Sequence, residues 1–61
     1  MGKWEAQDGL YKFVIVENDG HFDLTVDSPF NDERLWFPSY RMARNHLKKE
    51  YGFEGRMKKV L

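Results

Sequence analysis

The sequence predicts an α+β domain: a small antiparallel sheet of three to four strands, with one helix packed on one face, in the order β-β-β-α-β. Two apolar segments flank an Asn-Asp-Gly turn, and a later segment has the period of an amphipathic helix with a capping residue at each end. There is no cysteine, which excludes disulfides and thiolate zinc sites. Residues 1–61 are therefore expected to form a single domain stabilised by aromatic burial.

The first two strands are predicted as a hairpin. Residues 10–17 combine aromatic and β-branched types with apolar side chains on both faces, which is typical of a central strand. The turn Asn18-Asp19-Gly20 tolerates positive φ, and residues 21–27 alternate strictly. This alternation predicts an apolar face of Phe22, Leu24 and Val26 and a solvent-facing side of His21, Asp23, Thr25 and Asp27.

The other strands are shorter. Residues 4–6 are expected to add a short edge segment before a turn at Asp8-Gly9. A turn-rich connection over residues 28–33 leads into a strand at 34–37, which Pro38 ends. After Gly55, residues 56–61 are predicted as a last short strand, with a basic tail as the alternative.

The helix is predicted from Tyr40 to about Tyr51. Ser39 is a good N-cap, because its hydroxyl can accept from an unpaired N–H of the first turn. Gly52 suits a left-handed C-terminal position, and Phe53 can fold back on the last turn as in a Schellman motif. At about 100° per residue, one apolar stripe faces the sheet, and it consists of Tyr40, Ala43, Leu47 and Tyr51.

The predicted core combines this stripe with the apolar strand positions Phe13, Ile15, Phe22, Leu24, Val26, Leu35 and Phe37. Trp36 or Trp4 is expected to cover an edge. One helix can cover only one face of the central strand. Either Trp4 and the loop carrying Phe30 cover the second face, or that face is an exposed patch to which another protein or subunit binds.

Charge divides the chain into two halves, although the net charge is zero. Residues 1–39 carry eight acids and three bases, a net charge of −5, whereas residues 40–61 carry seven bases and two acids, a net charge of +5. Such segregation can orient a charged partner.

The basic candidate site lies on the helix and beyond it. One arc of the helix collects Arg41, Arg44, Asn45, Lys48 and Lys49, and the C-terminal segment adds Arg56, Lys58 and Lys59. This pattern suits a phosphate backbone or an acidic protein. An ordinary solvated outer face, with bases near the helix C-terminus, explains it more simply.

The acidic candidate site is the hairpin. An array of Glu17, Asp19, Asp23 and Asp27 could imitate the charge of a nucleic-acid backbone, or dock on a basic protein as small inhibitors encoded by phages often do. Turns also collect aspartate for local reasons.

The segment Arg34-Leu-Trp-Phe37 leads into a helix that contains Ala43 and Arg44. In this pattern the chain resembles DNA-binding domains of the plant ethylene-response type and the arm-binding domains of phage-type integrases. The resemblance implies a sheet that enters the major groove. Those domains read DNA with arginines on the sheet, whereas the exposed positions predicted here, Asp23 and Asp27, would repel phosphates.

Catalysis, metals and cofactors are not expected. The chain has no cysteine, and neither histidine has a nucleophile at a recognisable motif spacing. The pairs His46/Glu50 and His21/Asp23 could each reach a common ion, but exposed polar residues on a solvated face explain them more simply. No apolar run has the length of a membrane span, so a cytoplasmic location is expected.

The leading hypothesis is a small non-enzymatic protein-interaction module, a regulator or inhibitor that acts through charge-polarised surfaces as a monomer or weak homodimer. The alternative is a nucleic-acid-binding domain that uses the basic helix face.

Overall fold

The computed structural model describes residues 2–61 and contains one sheet and one helix. The elements are β1 (Lys3–Asp8), β2 (Tyr11–Asn18), β3 (His21–Asp27), β4 (Glu33–Phe37), α1 (Tyr40–Tyr51) and β5 (Lys58–Lys59). All strand pairs are antiparallel, and the sheet order is β4-β3-β2-β1-β5. The predicted α+β class is confirmed, with five strands instead of three to four. Within the described part of the chain, no helix is long and apolar enough to cross a membrane.

The β2–β3 hairpin is confirmed, and β2 is the central strand of the sheet. Asn18 pairs with His21, so the loop is the two residues Asp19 and Gly20, whose φ angles are 50° and 81°. Positive φ at both positions matches the twist of the strands that they join. β2 begins one residue later than predicted, because Leu10 belongs to the preceding turn with Gly9.

β1 is longer and more central than predicted. It is a six-residue strand between β2 and β5, although only Trp4 and Ala6 are apolar in it. These two side chains pair with Ile15 and Phe13 of β2 on the helix side of the sheet. The final strand is confirmed only as the two-residue β5, which pairs with Trp4 and Glu5.

The helix has the predicted bounds and caps. Ser39 Oγ accepts a hydrogen bond of 3.2 Å from Met42 N–H at the N-terminus. Gly52 has a φ of 65°, its N–H donates to Lys48 C=O, and Phe53 N–H donates to Leu47 C=O. The Gly52 bond is the 5→1 bond of the simpler αL motif, not the pair of bonds that defines the predicted Schellman motif, and the two bonds together satisfy carbonyls of the last turn. Phe53 consequently folds back into the core, where it is 8% exposed.

The core lies between the helix and one face of the sheet, which we call the covered face. Its buried members are Phe13, Ile15, Leu24, Val26, Ala43, Leu47 and Phe53, and the other predicted core residues pack against them half-buried. Trp4 also packs against this core, whereas Trp36 is 60% exposed and covers nothing there. The prediction that Trp4 or Trp36 covers an edge therefore holds for Trp4 alone.

Candidate functional site

The second face of the sheet, which we call the open face, has no layer of residues 2–61 packed on it. The two segments considered as covers both lie on the helix side. Trp4 contacts Phe22 and Tyr40, with ring centroids 6.1 and 4.7 Å apart. Phe30 lies beside Tyr11, which stacks on Phe13 of the core. Of the two alternatives left by the sequence, the exposed patch is the one found.

Strand register places an apolar centre on the open face. Val16 lies opposite both Lys3 and Asp23, and Asp23 in turn lies opposite Trp36. In the next row of the same face, Val14 lies opposite Thr25. Val14 and Val16 are half-buried by their neighbours, and Trp36 stands out with 60% of its surface exposed. The sequence indicated Val14 and Val16 only through the apolar types on both faces of residues 10–17.

The open face carries both signs of charge, whereas the residues of β3 alone predicted an acidic face. Register and alternation assign to it four bases (Lys3, Lys12, Arg34 and Lys58) and three acids (Glu5, Asp23 and Asp27). Two side-chain contacts form within it: Lys3 Nζ lies 3.5 Å from the Glu5 carboxylate, and His21 Nε2 lies 3.3 Å from the Asp23 carboxylate. The face as a whole is therefore close to neutral, and the expected acidic sheet is limited to β3.

Trp36 borders a groove at one end of the open face. The His21 ring lies 5.6 Å from the indole. A shallow cavity of about 440 Å³ follows β3 and β4 and is lined by Asp23, Thr25, Arg34 and Trp36, with Leu24 and Leu35. Exposed tryptophan and arginine side chains are enriched in protein-binding surfaces.

The acidic hairpin residues do not form one array. Asp23 and Asp27 lie on the open face, and Asp19 lies in the turn. Glu17 pairs with Phe22, so it lies on the covered face. The four carboxylates are thus divided between the open face, the turn and the covered face.

Arg44, from the predicted basic helix face, is bound within the molecule. Its guanidinium donates to Gly55 C=O and, over 3.2 Å, to Tyr40 Oη, and it lies 5.5 Å from the Phe53 ring centroid. Its Nε is buried and has no hydrogen-bond partner in the structure. These contacts hold the segment after the helix against the helix, so Arg44 is a structural residue in this fold. The helical periodicity of the sequence predicts on which side of the helix Arg44 lies, but it does not predict that Gly55 lies beside it.

The remaining residues predicted for the basic site are exposed. Five bases and the neutral Asn45 among them form what we call the basic ridge, which consists of Arg41, Asn45, Lys48, Lys49, Arg56 and Lys59. Lys48 Nζ lies 3.6 Å from Glu54, and Lys59 Nζ lies 5.7 Å from the Trp4 ring centroid. Lys58 is absent from the ridge, because it pairs with Glu5 and belongs to the open face.

The opposite flank of the helix is tied to β4 through a carboxylate. Glu33 accepts a 2.8 Å hydrogen bond from Tyr51 Oη and lies 3.3 Å from His46 Nε2. Burial, followed by the bond to Glu33 and the negative charge of that carboxylate, raises the pKa of Tyr51 to about 12. Tyr51 is therefore a neutral hydrogen-bond donor throughout the physiological range.

Neither histidine takes part in a larger ligand set. His46 contacts Glu33 instead of Glu50, and His21 contacts Asp23 alone among the acids. Among residues 2–61, no group of three or more His, Cys, Asp or Glu side chains could hold a metal ion. Comparison of the chain with protein-family models, with curated proteins and with solved structures finds no match.

Proposed function

We propose that this protein is a small non-enzymatic protein-interaction module that binds a partner protein through the open face. In this role it is a regulator or inhibitor of a larger cytoplasmic assembly, of the kind that phages encode. The observation that carries the proposal is the apolar centre of Val14, Val16 and Trp36 on a face that no element of residues 2–61 covers.

The composition of the face supports a protein ligand. Interfaces between proteins have an apolar centre, enriched in tryptophan and arginine, and a polar rim. Here Trp36 and Arg34 stand next to each other on β4, and charges of both signs surround the two valines. A phosphate backbone would instead select a surface with dense positive charge.

Photo-crosslinking tests the proposal. In the full chain, p-benzoylphenylalanine replaces Val14 on the open face or, as a matched control, Lys49 on the outer side of the helix. We expect one host protein to be crosslinked from position 14 and not from position 49, and unlabelled wild-type protein to compete for it.

Binding of the purified partner then gives the quantitative result. Val14→Lys puts a charge into the apolar centre and should weaken binding by at least about tenfold, while Arg41→Ala on the ridge should leave it unchanged. Crosslinking from position 49 alone, or a Val14→Lys variant that binds as the wild type does, would overturn the proposal.

The basic ridge supports a second candidate function, nucleic-acid binding. The exposed Arg41, Lys49 and Arg56 are not in any ion pair among the described residues. Labelled DNA and RNA titrated at about 50 and about 150 mM salt test it, because each phosphate contact steepens the salt dependence. The informative variant is Arg41→Glu with Lys49→Glu, since changing Arg44 would also disturb the fold. Absence of binding at the lower salt would exclude this candidate.

A further inference from the structure

β4 is an edge strand with a free outer side. It pairs only with β3 among residues 2–61, from Phe22↔Phe37 to Val26↔Glu33. Its outer side therefore presents backbone N–H and C=O groups that another strand can pair with. The opposite edge of the sheet is different, because β5 has only two residues.

Two exposed apolar side chains lie along this same edge. Trp36 is 60% exposed on the open face, and Met42 of the helix is 49% exposed on the other side of the sheet. Met42 lies one turn before His46, whose ring is 5.4 Å from that of Phe37, so this helix flank faces β4. The edge thus has an uncovered apolar group on each side of the sheet.

We propose that β4 pairs with β4 of a second copy of this chain, antiparallel and centred on Leu35. A two-fold axis perpendicular to the sheet then places Arg34 of each copy directly opposite Trp36 of the other, on the open face. Each pair can form a cation–π contact. On the covered face, Leu35 meets its own copy.

Neighbouring registers are less favourable. A two-fold axis preserves the faces of the sheet, so the centre can move only to Arg34 or Trp36 if the strands still overlap. Centring on Arg34 places the two Arg34 side chains opposite each other, and like charges there are destabilising. Centring on Trp36 places Arg34 opposite Pro38, which has no N–H to donate. Only the Leu35 register aligns all five residues of β4.

The proposed dimer goes beyond the proposed function, because it concerns how two copies of the chain assemble. It joins two five-stranded sheets into one continuous sheet, with both helices on the same side. The two open faces become one surface of double width. Self-association does not require partner binding, and partner binding does not require self-association.

An exchange of side chains tests the register. Wild-type protein of 7.3 kDa should show reversible, concentration-dependent doubling of mass in sedimentation equilibrium. Trp36→Arg sets arginine against arginine and should weaken self-association by at least about tenfold. Arg34→Trp combined with Trp36→Arg restores two Arg–Trp pairs with their positions exchanged, and should restore the dimer.

A cysteine variant tests the centre of the pairing independently. The chain has no natural cysteine, so Leu35→Cys introduces one thiol that lies opposite its own copy. Mild oxidation should give a disulfide-linked dimer. Phe37→Cys is the matched control, because that residue lies opposite Glu33 of the second copy and should not crosslink. Circular dichroism confirms that each variant is folded.

Several outcomes would overturn the dimer: a wild-type protein that stays monomeric at millimolar concentration, a Trp36→Arg variant that associates as the wild type does, or an exchanged variant that is folded and monomeric. The test is distinct from that of the proposed function. Mass is measured on the purified chain alone, whereas partner binding is measured at position 14.

Discussion

The covered and open faces are built from the same strands, yet they differ in what surrounds them. On β2, Phe13 and Ile15 point to the covered face and are fully buried, while Val14 and Val16 between them point to the open face and remain half-buried. The side-chain types are similar, so composition does not decide burial. The single helix decides it, because it can lie against only one face. The apolar residues of β2 on the other face therefore stay partly exposed.

Substitution of adjacent β2 residues should give the largest difference in stability loss between the two faces. Phe13→Ala removes a fully buried ring and should lower the free energy of unfolding by about 3–5 kcal/mol. That loss is most of the stability expected for so small a domain. Val14→Ala should cost about 1 kcal/mol or less, because the side chain is already partly in water. Urea denaturation followed by circular dichroism measures both.

A pair of smaller substitutions allows the two faces to be compared even where the Phe13→Ala variant does not fold. Ile15→Val should cost about 0.5–1.5 kcal/mol by deleting one buried methylene. Val16→Thr, on the open face, should cost less. Equal losses for the two variants would mean that the open face is covered in solution.

Much of this two-faced architecture follows from sequence, since short-range signals set it. The Asp19-Gly20 turn fixes the hairpin register, and the residues around α1 fix both of its ends. β1 was underestimated because a strand with two apolar side chains is recognisable only through its partners. The role of Arg44 depends on where the chain goes after Gly52, which periodicity cannot show.

The two arginines of the helix provide the next contrast. Arg44→Met keeps the packing of the aliphatic stem but removes the hydrogen bonds to Gly55 and Tyr40, and should cost about 1–2 kcal/mol. Arg41→Met, on the exposed side, should change stability by no more than about 0.5 kcal/mol. Thermal unfolding compares them. If Arg41→Met were the more destabilising, the assignment of Arg44 as the structural residue would be wrong.

The smallest effect concerns Tyr51 and is a pH dependence. Burial raises the pKa of Tyr51 to about 12 from its ordinary value of 10.0. Below pH 10 both the folded and the unfolded chain hold the phenolic proton, so the hydrogen bond to Glu33 contributes fully. Between about pH 10 and 12 the unfolded chain loses this proton first, and the free energy of unfolding falls.

Tyr51→Phe isolates that contribution, because the other tyrosines titrate in both proteins and cancel. The variant should be less stable than the wild type at pH 8, and the difference should shrink steadily as the pH rises from 10 towards 12. Trp36→Phe serves as the open-face control, since Trp36 has no proton to lose in this pH range and its side chain points to the opposite face of β4 from that of Glu33. Its stability difference from the wild type should stay constant over the same range. A difference for Tyr51→Phe that is equally constant would mean that the phenol is solvated and that the Glu33 bond does not join this helix flank to β4 in solution.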